Sequence, residues 1–497
     1  LIPEVFSGKE DCRRIAGAEA SLGFPETPPF RFPMKTSALI VSLFAMTTLL
    51  RAADAPQPGH APHSANPILP GYYADPSIVQ EGGKTYIYAT LDPWGDKTLG
   101  CWESSDFKNW TYHVLNWPTK AECTSPTSKS AAVWAPSVLK GKDGKYHMVV
   151  SVGNEMWAGV ADHPLGPWRN ALGDHKPFVP WDYKQGVYHM IDGELFLDDD
   201  GQAYLYWGSG FGWKNGKCWL VKLTPDMAHF DGEVKDVTPT NYFEGPFMVK
   251  RHGKYFLMYS AGKTVEDTYR VHYAVSDSPF GPFVEGPGSP ILITDKAENV
   301  VSPGHHAVFQ RDGRDYILYH RHSIPFNRKF IGRQTCVDPI TFTADGRIER
   351  VVPTHQGPAL VQGRLESQSK LAADAKVTAS SEADVFTGAA CVLDDNYATR
   401  WAATPDAKGA WIQIDLGAPK AITRQLIRPE YAWKPYRFTA QASTDGKTWE
   451  TLADFTQQPA TGSPLEIAKP VTARYLRLVF PDDVKGSGIS LFEWKVL

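Results

Sequence analysis

The stretch EGPFMVKRHGKYFLMYS, Glu244–Ser260, sets an acidic residue at the mouth of a strand that ends in a turn and returns as a second, aromatic strand. Its second half recurs in loose form as GKTYIYAT around Tyr86, GKYHMVVS around Tyr146, GQAYLYWG around Tyr204 and RDYILYHR around Tyr316. With Tyr255 that makes five copies, about 50 to 60 residues apart, close to the period of about 50 expected for four-stranded propeller blades. A five-bladed β-propeller is the natural reading.

Before each hairpin stands a segment of similar shape: YADPSI, WAPSV, IDGELF, EGPFMV and GHHAVF. Counting back from the repeat tyrosines, Asp75, Ala135, Glu244 and His305 stand eleven residues earlier and Asp192 twelve, so the five read as equivalent positions. The first strand of each blade lines the central channel, so equivalent positions converge on one axis. Three carboxylates and an imidazole there are costly to desolvate, which a purely structural core would avoid. Bland readings exist for each. Asp75 precedes Pro76 and could be a turn residue. Asp198, Asp199 and Asp200 read as solvated turn residues before Gly201. Glu194, two places from Asp192 on the same strand face, is an alternative inward carboxylate, as His306 is an alternative to His305; register favours Asp192 and His305.

The chain has 497 residues and a net charge of -4, which leaves no electrostatic footprint of a nucleic-acid binder or an anionic-membrane binder. A neutral partner is expected, and 16 Trp with 21 Tyr supply flat surface on which sugar rings stack. Residues 1–33 read as a misplaced, disordered start. Residues 34–55, MKTSALIVSLFAMTTLLRAADA, read as a signal peptide, because the apolar run falls short of the roughly 20 residues that span a bilayer. The mature protein is then expected to be secreted or periplasmic, with no membrane association. Past Met34 the cysteines are Cys101, Cys123, Cys218, Cys336 and Cys391, an odd and scattered set. They read mainly as buried small apolar residues, with a Cys101–Cys123 bridge as the one pairing entertained.

These motifs, from Asn66 to Gly363, resemble glycoside hydrolase family 43, a family of inverting five-bladed propellers. The resemblance implies that Asp75, in NPILPGYYADPSI, is the general base. It makes Asp192, in IDGELFLDDDGQAYLYWG, the residue that tunes and orients the acid, and Glu244 the general acid. It also gives His305 a part in holding a central calcium ion and Arg333, in IGRQT, a contact with substrate. Gly193 stands where the family more often has Pro. The residue types suit the chemistry: glycoside hydrolysis needs one protonated carboxyl for the leaving oxygen and one carboxylate to activate a nucleophile. Trp134 and Trp94 are candidates for stacking on the sugar, with core packing as the plain alternative. No cofactor is required for such chemistry; a structural calcium is implied by the resemblance alone.

The propeller is expected over 61–362 and a linker over 363–372. From Ala373 the pattern restarts with LDDNYATRWAA, AWIQIDLG, ASTDGKTWETL, ARYLRLVF and SLFEWKVL. Strands separated by DG turns argue for a β-sandwich over 373–497, and the set resembles the discoidin-like, coagulation factor type C domain, a jelly-roll module of the galactose-binding-like kind. The resemblance implies a structural calcium beside Asp394 and Glu493. Tyr431 and Trp433 are loop aromatics that either meet a sugar or pack, and the domain reads equally as a carbohydrate-binding module or as a ligand-free brace for the propeller. The whole reads as an exported glycosidase acting on a neutral polysaccharide or oligosaccharide. α-L-Arabinofuranosidase ranks first and β-xylosidase second, with a galactosidase or endo-arabinanase behind them. A sugar-binding propeller without catalysis is the rival from another class.

Overall fold

The computed structural model describes residues 57–173, 175–363 and 370–497, which belong to one compact unit, Asp54–Leu497. The expected misplaced start, the signal peptide and most of the linker lie outside the described residues. Among the described residues no helix is long and apolar enough to cross a membrane.

Five antiparallel sheets form the propeller. Blade one is β1 (Tyr73–Glu81), β2 (Lys84–Leu91), β3 (Gly100–Ser104) and β4 (Thr111–Val114). Blade two is β5 (Val133–Lys140), β6 (Tyr146–Val152), β7 (Glu155–Ala161) and β8 (Arg169–Asn170). Blade three is β9 (Glu194–Leu197), β10 (Ala203–Trp207), β11 (Trp219–Leu223) and β12 (Lys235–Asp236). Blade four is β13 (Glu244–Arg251), β14 (Lys254–Ala261), β15 (Arg270–Ser276) and β16 (Val284–Glu285). Blade five has three strands, β17 (Gly304–Arg311), β18 (Arg314–His322) and β19 (Arg333–Pro339). Along its outer edge runs the segment before blade one: the Ile68 N–H donates to the Thr335 carbonyl at 2.9 Å, and Asn66 exchanges two hydrogen bonds with the Val337 backbone. The ring is thereby closed by residues from its opposite end.

Each sheet is buried on both faces, which is why the second strands read as near-continuous apolar runs. One hydrophobic cluster fills each seam. Tyr88 and Cys101 of blade one meet Met148 and Val150 of blade two; Val149 meets Leu205 and Trp207; Tyr206 and Leu220 meet Leu257; Phe256 meets Ile317; and Leu318 and Val337 meet Ile87 and Trp102. Cys101 and Cys123 are both free and buried in the first of these seams, so they do not form the bridge entertained from sequence. Their thiols serve as small apolar filling.

The sandwich packs a five-stranded sheet, ordered β20-β22-β27-β24-β25, on a four-stranded one, β21-β28-β23-β26. Here β20 is Lys376–Ala379, β21 Trp401–Ala402, β22 Trp411–Ile422, β23 Gln425–Pro429, β24 Thr439–Ser443, β25 Glu450–Asp454, β26 Leu465–Ile467, β27 Val471–Val479 and β28 Ser490–Val496. Trp401, Ile412, Leu476 and Trp494 are among the residues filling its core. It is packed on the propeller by a second, mixed cluster in which Tyr431, Trp433 and Phe492 surround Tyr72. Of the two readings of Tyr431 and Trp433, packing is the one observed.

Candidate active site

The first strands of four blades break register near their inner ends, between Ala74 and Ser77, Trp134 and Pro136, Glu244 and Phe247, and Gly304 and Ala307. At each break one residue adopts a left-handed backbone: Asp75 (φ 50), Ala135 (φ 44), Gly245 (φ 58) and His305 (φ 37); Asp192 (φ 58) does so before β9. Such conformations are uncommon for residues other than glycine and persist only where neighbours enforce them. Here the adjacent blade does so. The N–H of Ala135 donates to Thr90 Oγ1, that of Asp192 to Ser151 Oγ, that of His305 to Ser260 Oγ and that of Asp75 to His320 Nδ1, at 2.8 to 3.2 Å.

The expected equivalence of the five positions therefore fails by one residue in blade four. Gly245, not Glu244, matches Asp75, and Glu244 matches Trp134. The count from Tyr255 slipped because the turn-to-strand register, set by Arg251 facing Lys254 as Glu81 faces Lys84, makes Phe256 the equal of Tyr86. The carboxylate nonetheless reaches the site, because a bulge turns consecutive side chains toward the same end of the channel.

Asp75 is buried among polar groups, with Arg333 and Thr90 donating to its carboxylate and His320 Nδ1 accepting its N–H. Arg333 Nη1 lies 2.9 Å from Oδ1, Thr90 Oγ1 donates to Oδ2 at 2.7 Å, and His305 Nδ1 and His320 Nδ1 stand 3.3 and 3.2 Å from Oδ1. Burial raises its pKa, but Arg333 and the two histidines outweigh burial and hold the carboxyl well below the usual range. Arg333 is in turn clamped by Asp92 through its backbone N–H, Nε and Nη2, at 2.7 to 2.8 Å.

Glu244 is set differently. Tyr269 OH donates to Oε1 at 2.7 Å and Ser209 Oγ to Oε2 at 2.9 Å. Burial pushes the acid up to about 7 against these two hydrogen bonds, and the negative charge of Asp75 adds to the rise. Asp192 is raised as well, first by burial and then by Glu244 and Asp75, while Arg333 opposes the shift. Asp192 and Glu244 thus hold a proton between them sooner than carry two charges. Desolvation is the main cause of the Glu244 shift and Asp75 the charge that adds to it; the charge effect with Asp192 is seen on Asp192, which Glu244 raises.

Below these groups lies a cavity of about 260 Å³ on the propeller axis, lined by first-strand residues of all five blades. Asp192 and His305 line it, and so do the two alternatives weighed from sequence. Glu194 accepts from Ser137 Oγ at 2.8 Å and is pushed up to about 8 by burial; His306 packs against Phe247. Asp198 departs from its expected solvated place. It is buried, and it binds Lys250 at 2.8 Å and the Tyr255 hydroxyl across the seam to blade four.

Above the carboxylates stands an aromatic wall. Trp94 is 37% exposed, with the Arg333 guanidinium 5.1 Å from its ring centre. It faces Trp213 at 6.4 Å, which stacks on Phe243 at 5.6 Å, next to Glu244. Trp134 is half-buried, with Nε1 donating to the Gly153 carbonyl at 2.9 Å. Sequence reading missed Asp92, His320, Tyr269, Ser209 and Trp213. Asp92, in the DPWGDK loop, and His320, within the repeat copy RDYILYHR, carried a local signal; the others reach the site from strand ends and loops that share no motif.

Among the described residues, no group of three or more His, Cys, Asp or Glu side chains is arranged to hold a metal ion. His305 turns its Nδ1 toward Asp75 and Asp192, a nitrogen where calcium prefers oxygen. In the sandwich, Asp394 accepts from the Asn396 N–H and Thr399 Oγ1, and Glu493 from the Asp395 N–H. The chemistry below draws on protein groups alone.

A propeller with buried carboxyls of contrasting charge around its axis is the arrangement of a glycoside hydrolase. The model of glycosyl hydrolases family 43 matches residues 64–348, more than half of the chain, and the chain belongs to that family; residues 376–493 match the F5/8 type C domain. A β-D-galactofuranosidase from Aspergillus niger is 34% identical over 68% of this chain and 96% of its own. An arabinoxylan arabinofuranohydrolase from Bacillus subtilis is 26% identical over 59% of this chain and 65% of its own. A solved structure of a glycoside hydrolase covers 89% of this chain and 100% of its own, at 28% identity and a TM-score of 0.74.

Proposed function

We propose that the protein is an exported, inverting, exo-acting glycosidase that releases α-L-arabinofuranose from neutral plant-type polysaccharides or oligosaccharides. The observation that carries this reading is the split between two buried carboxyls: Arg333 keeps Asp75 well below the usual carboxylate range, while burial lifts Glu244 to about 7. An ionised group to take a proton from water and a protonated one to give a proton to the leaving oxygen are the two parts that hydrolysis with inversion needs. Asp192 orients Glu244 and competes with it for negative charge. Arg333 and Trp94 bind the sugar, and Trp134 forms part of the wall. The furanose preference is supported by the arabinofuranohydrolase relative and by the galactofuranosidase one, since β-D-galactofuranose has the ring configuration of α-L-arabinofuranose with one further exocyclic carbon.

β-D-Galactofuranosidase is accordingly the second reading, favoured by the identity and coverage of that relative. β-Xylosidase, as in the relative so named from Xylanibacter ruminicola, stands behind both. Nitrophenyl α-L-arabinofuranoside, β-D-galactofuranoside and β-D-xyloside offered in parallel discriminate the three, and proton NMR of the first-formed sugar reads the anomer. Fastest turnover of the arabinofuranoside with inverted product is expected. Retention of configuration, or no hydrolysis of any of the three, overturns the proposal.

A further inference from the structure

The loop from Asp92 to Lys97 joins β2 to β3 and carries the catalytic surroundings at one end. Its Asp92 carboxylate clamps Arg333 and accepts the Trp94 N–H at 3.1 Å, beneath the guanidinium. At the other end Asp96 Oδ2 accepts a 2.8 Å hydrogen bond from Trp433 Nε1 of the sandwich, and the Asp96 carbonyl accepts the N–H of Val133, the residue before Trp134. Trp433 also meets Tyr73 edge-on at 5.7 Å. A second grip lies beside it. Glu430 Oε1 accepts Tyr72 OH at 3.0 Å, three residues before Asp75, and is itself fixed by Arg400 at 2.9 Å. The Asp92 N–H donates to the Tyr72 carbonyl at 3.1 Å, so the two grips act on one connected piece of backbone. The approach is close: at Gly71 (φ +133) a Cβ would lie 2.6 Å from the Tyr73 ring and 3.3 Å from the Glu430 carbonyl oxygen.

We infer that Trp433 and Glu430 are positioning residues for hydrolysis: the sandwich is an intramolecular brace that fixes the Asp92–Arg333–Asp75 clamp, and its aromatic loop is committed to that task instead of to a second sugar. Neither residue touches the substrate. Both act through hydrogen bonds to or from charged carboxylates, and small displacements of a catalytic group lower turnover steeply. The inference rests on the reading of Asp75 as base, and its test separates the two.

The full-length protein is compared with Trp433→Phe, which keeps the ring and removes the donor, with Asp96→Ala and with the double variant. Turnover of the arabinofuranoside and hydrogen exchange of peptides covering 91–98 and 330–336 are both measured. Each single variant is expected to lose about tenfold in kcat with a smaller change in KM, and the double variant no more than either, because both remove one hydrogen bond. The Trp94 and Arg333 amides, bonded to Asp92, are expected to exchange faster in all three. Unchanged exchange, or losses that multiply in the double variant, overturns the brace. Faster exchange with unchanged kcat overturns the link to catalysis while leaving the mechanical coupling visible; the assignment of Asp75 is tested apart from it by Asp75→Asn, which is expected to abolish turnover without changing that exchange.

Discussion

Glu244 owes its proton chiefly to burial, and the two hydroxyls that touch it work against that proton. A hydrogen bond donated to a carboxylate favours the ionised form, so Tyr269→Phe is expected to raise the Glu244 pKa and move the alkaline limb of the kcat/KM profile to higher pH. In the unaltered enzyme that limb is expected near pH 7, as Glu244 loses its proton; the acid limb lies well below the ordinary carboxylate range, as Asp75 gains one. A shift toward lower pH on removing Tyr269 would contradict the assignment. Glu244→Gln is expected to lower kcat about 10²- to 10⁴-fold on a sugar leaving group and much less on nitrophenolate, which needs no acid. Parallel assays with an arabino-oligosaccharide and the nitrophenyl glycoside check this. Asp75, Asp192 and Glu244 were legible in the sequence because each sits in a repeated segment, whereas Tyr269 and Ser209 enter the site from unrepeated places; His320 lies in the repeat RDYILYHR, at a position that carries Thr90, Ser151 and Ser260 in other copies.

At the scale of the element, the hairpin repeat defined the blades, and the bulge within it aims the carboxylates. Counting from an aromatic landmark misassigned blade four by one residue, because Tyr255 and Phe256 are both aromatic and alternate faces of a strand differ by a single step. Gly245 is the glycine whose freedom the site uses: it takes φ 58, and a Cβ there would stand 3.2 Å from the His305 ring. Asp198 shows a second limit. A run of acidic residues before a glycine reads as a solvated turn, yet its first member ties blade three to Lys250 and Tyr255 of blade four. Asp198→Ala is expected to lower unfolding free energy by about 1–3 kcal/mol in denaturant titration, with kcat and KM within twofold of the unaltered protein. A loss of activity at full stability would place Asp198 in the site instead.

At the scale of the whole molecule, propeller and sandwich share apolar contacts around Tyr72 and buried hydrogen bonds such as Arg428 Nη1 to the Trp110 carbonyl at 2.9 Å and Gln334 Nε2 to the Tyr397 carbonyl at 2.8 Å. The two are therefore expected to unfold together, as one calorimetric transition; two separated transitions would contradict that coupling. Five repeats, two domains, the family resemblance and three carboxyls were determined by the order of residues alone, since strand periodicity, turn residues and repeat spacing are local properties. The tertiary structure decided which of the two adjacent histidines meets Asp75, which groups set each proton, and that Trp433 binds the Asp96 loop of blade one. Those outcomes depend on contacts between residues hundreds of positions apart, whose geometry arises only once the ring has closed and the sandwich has packed against it.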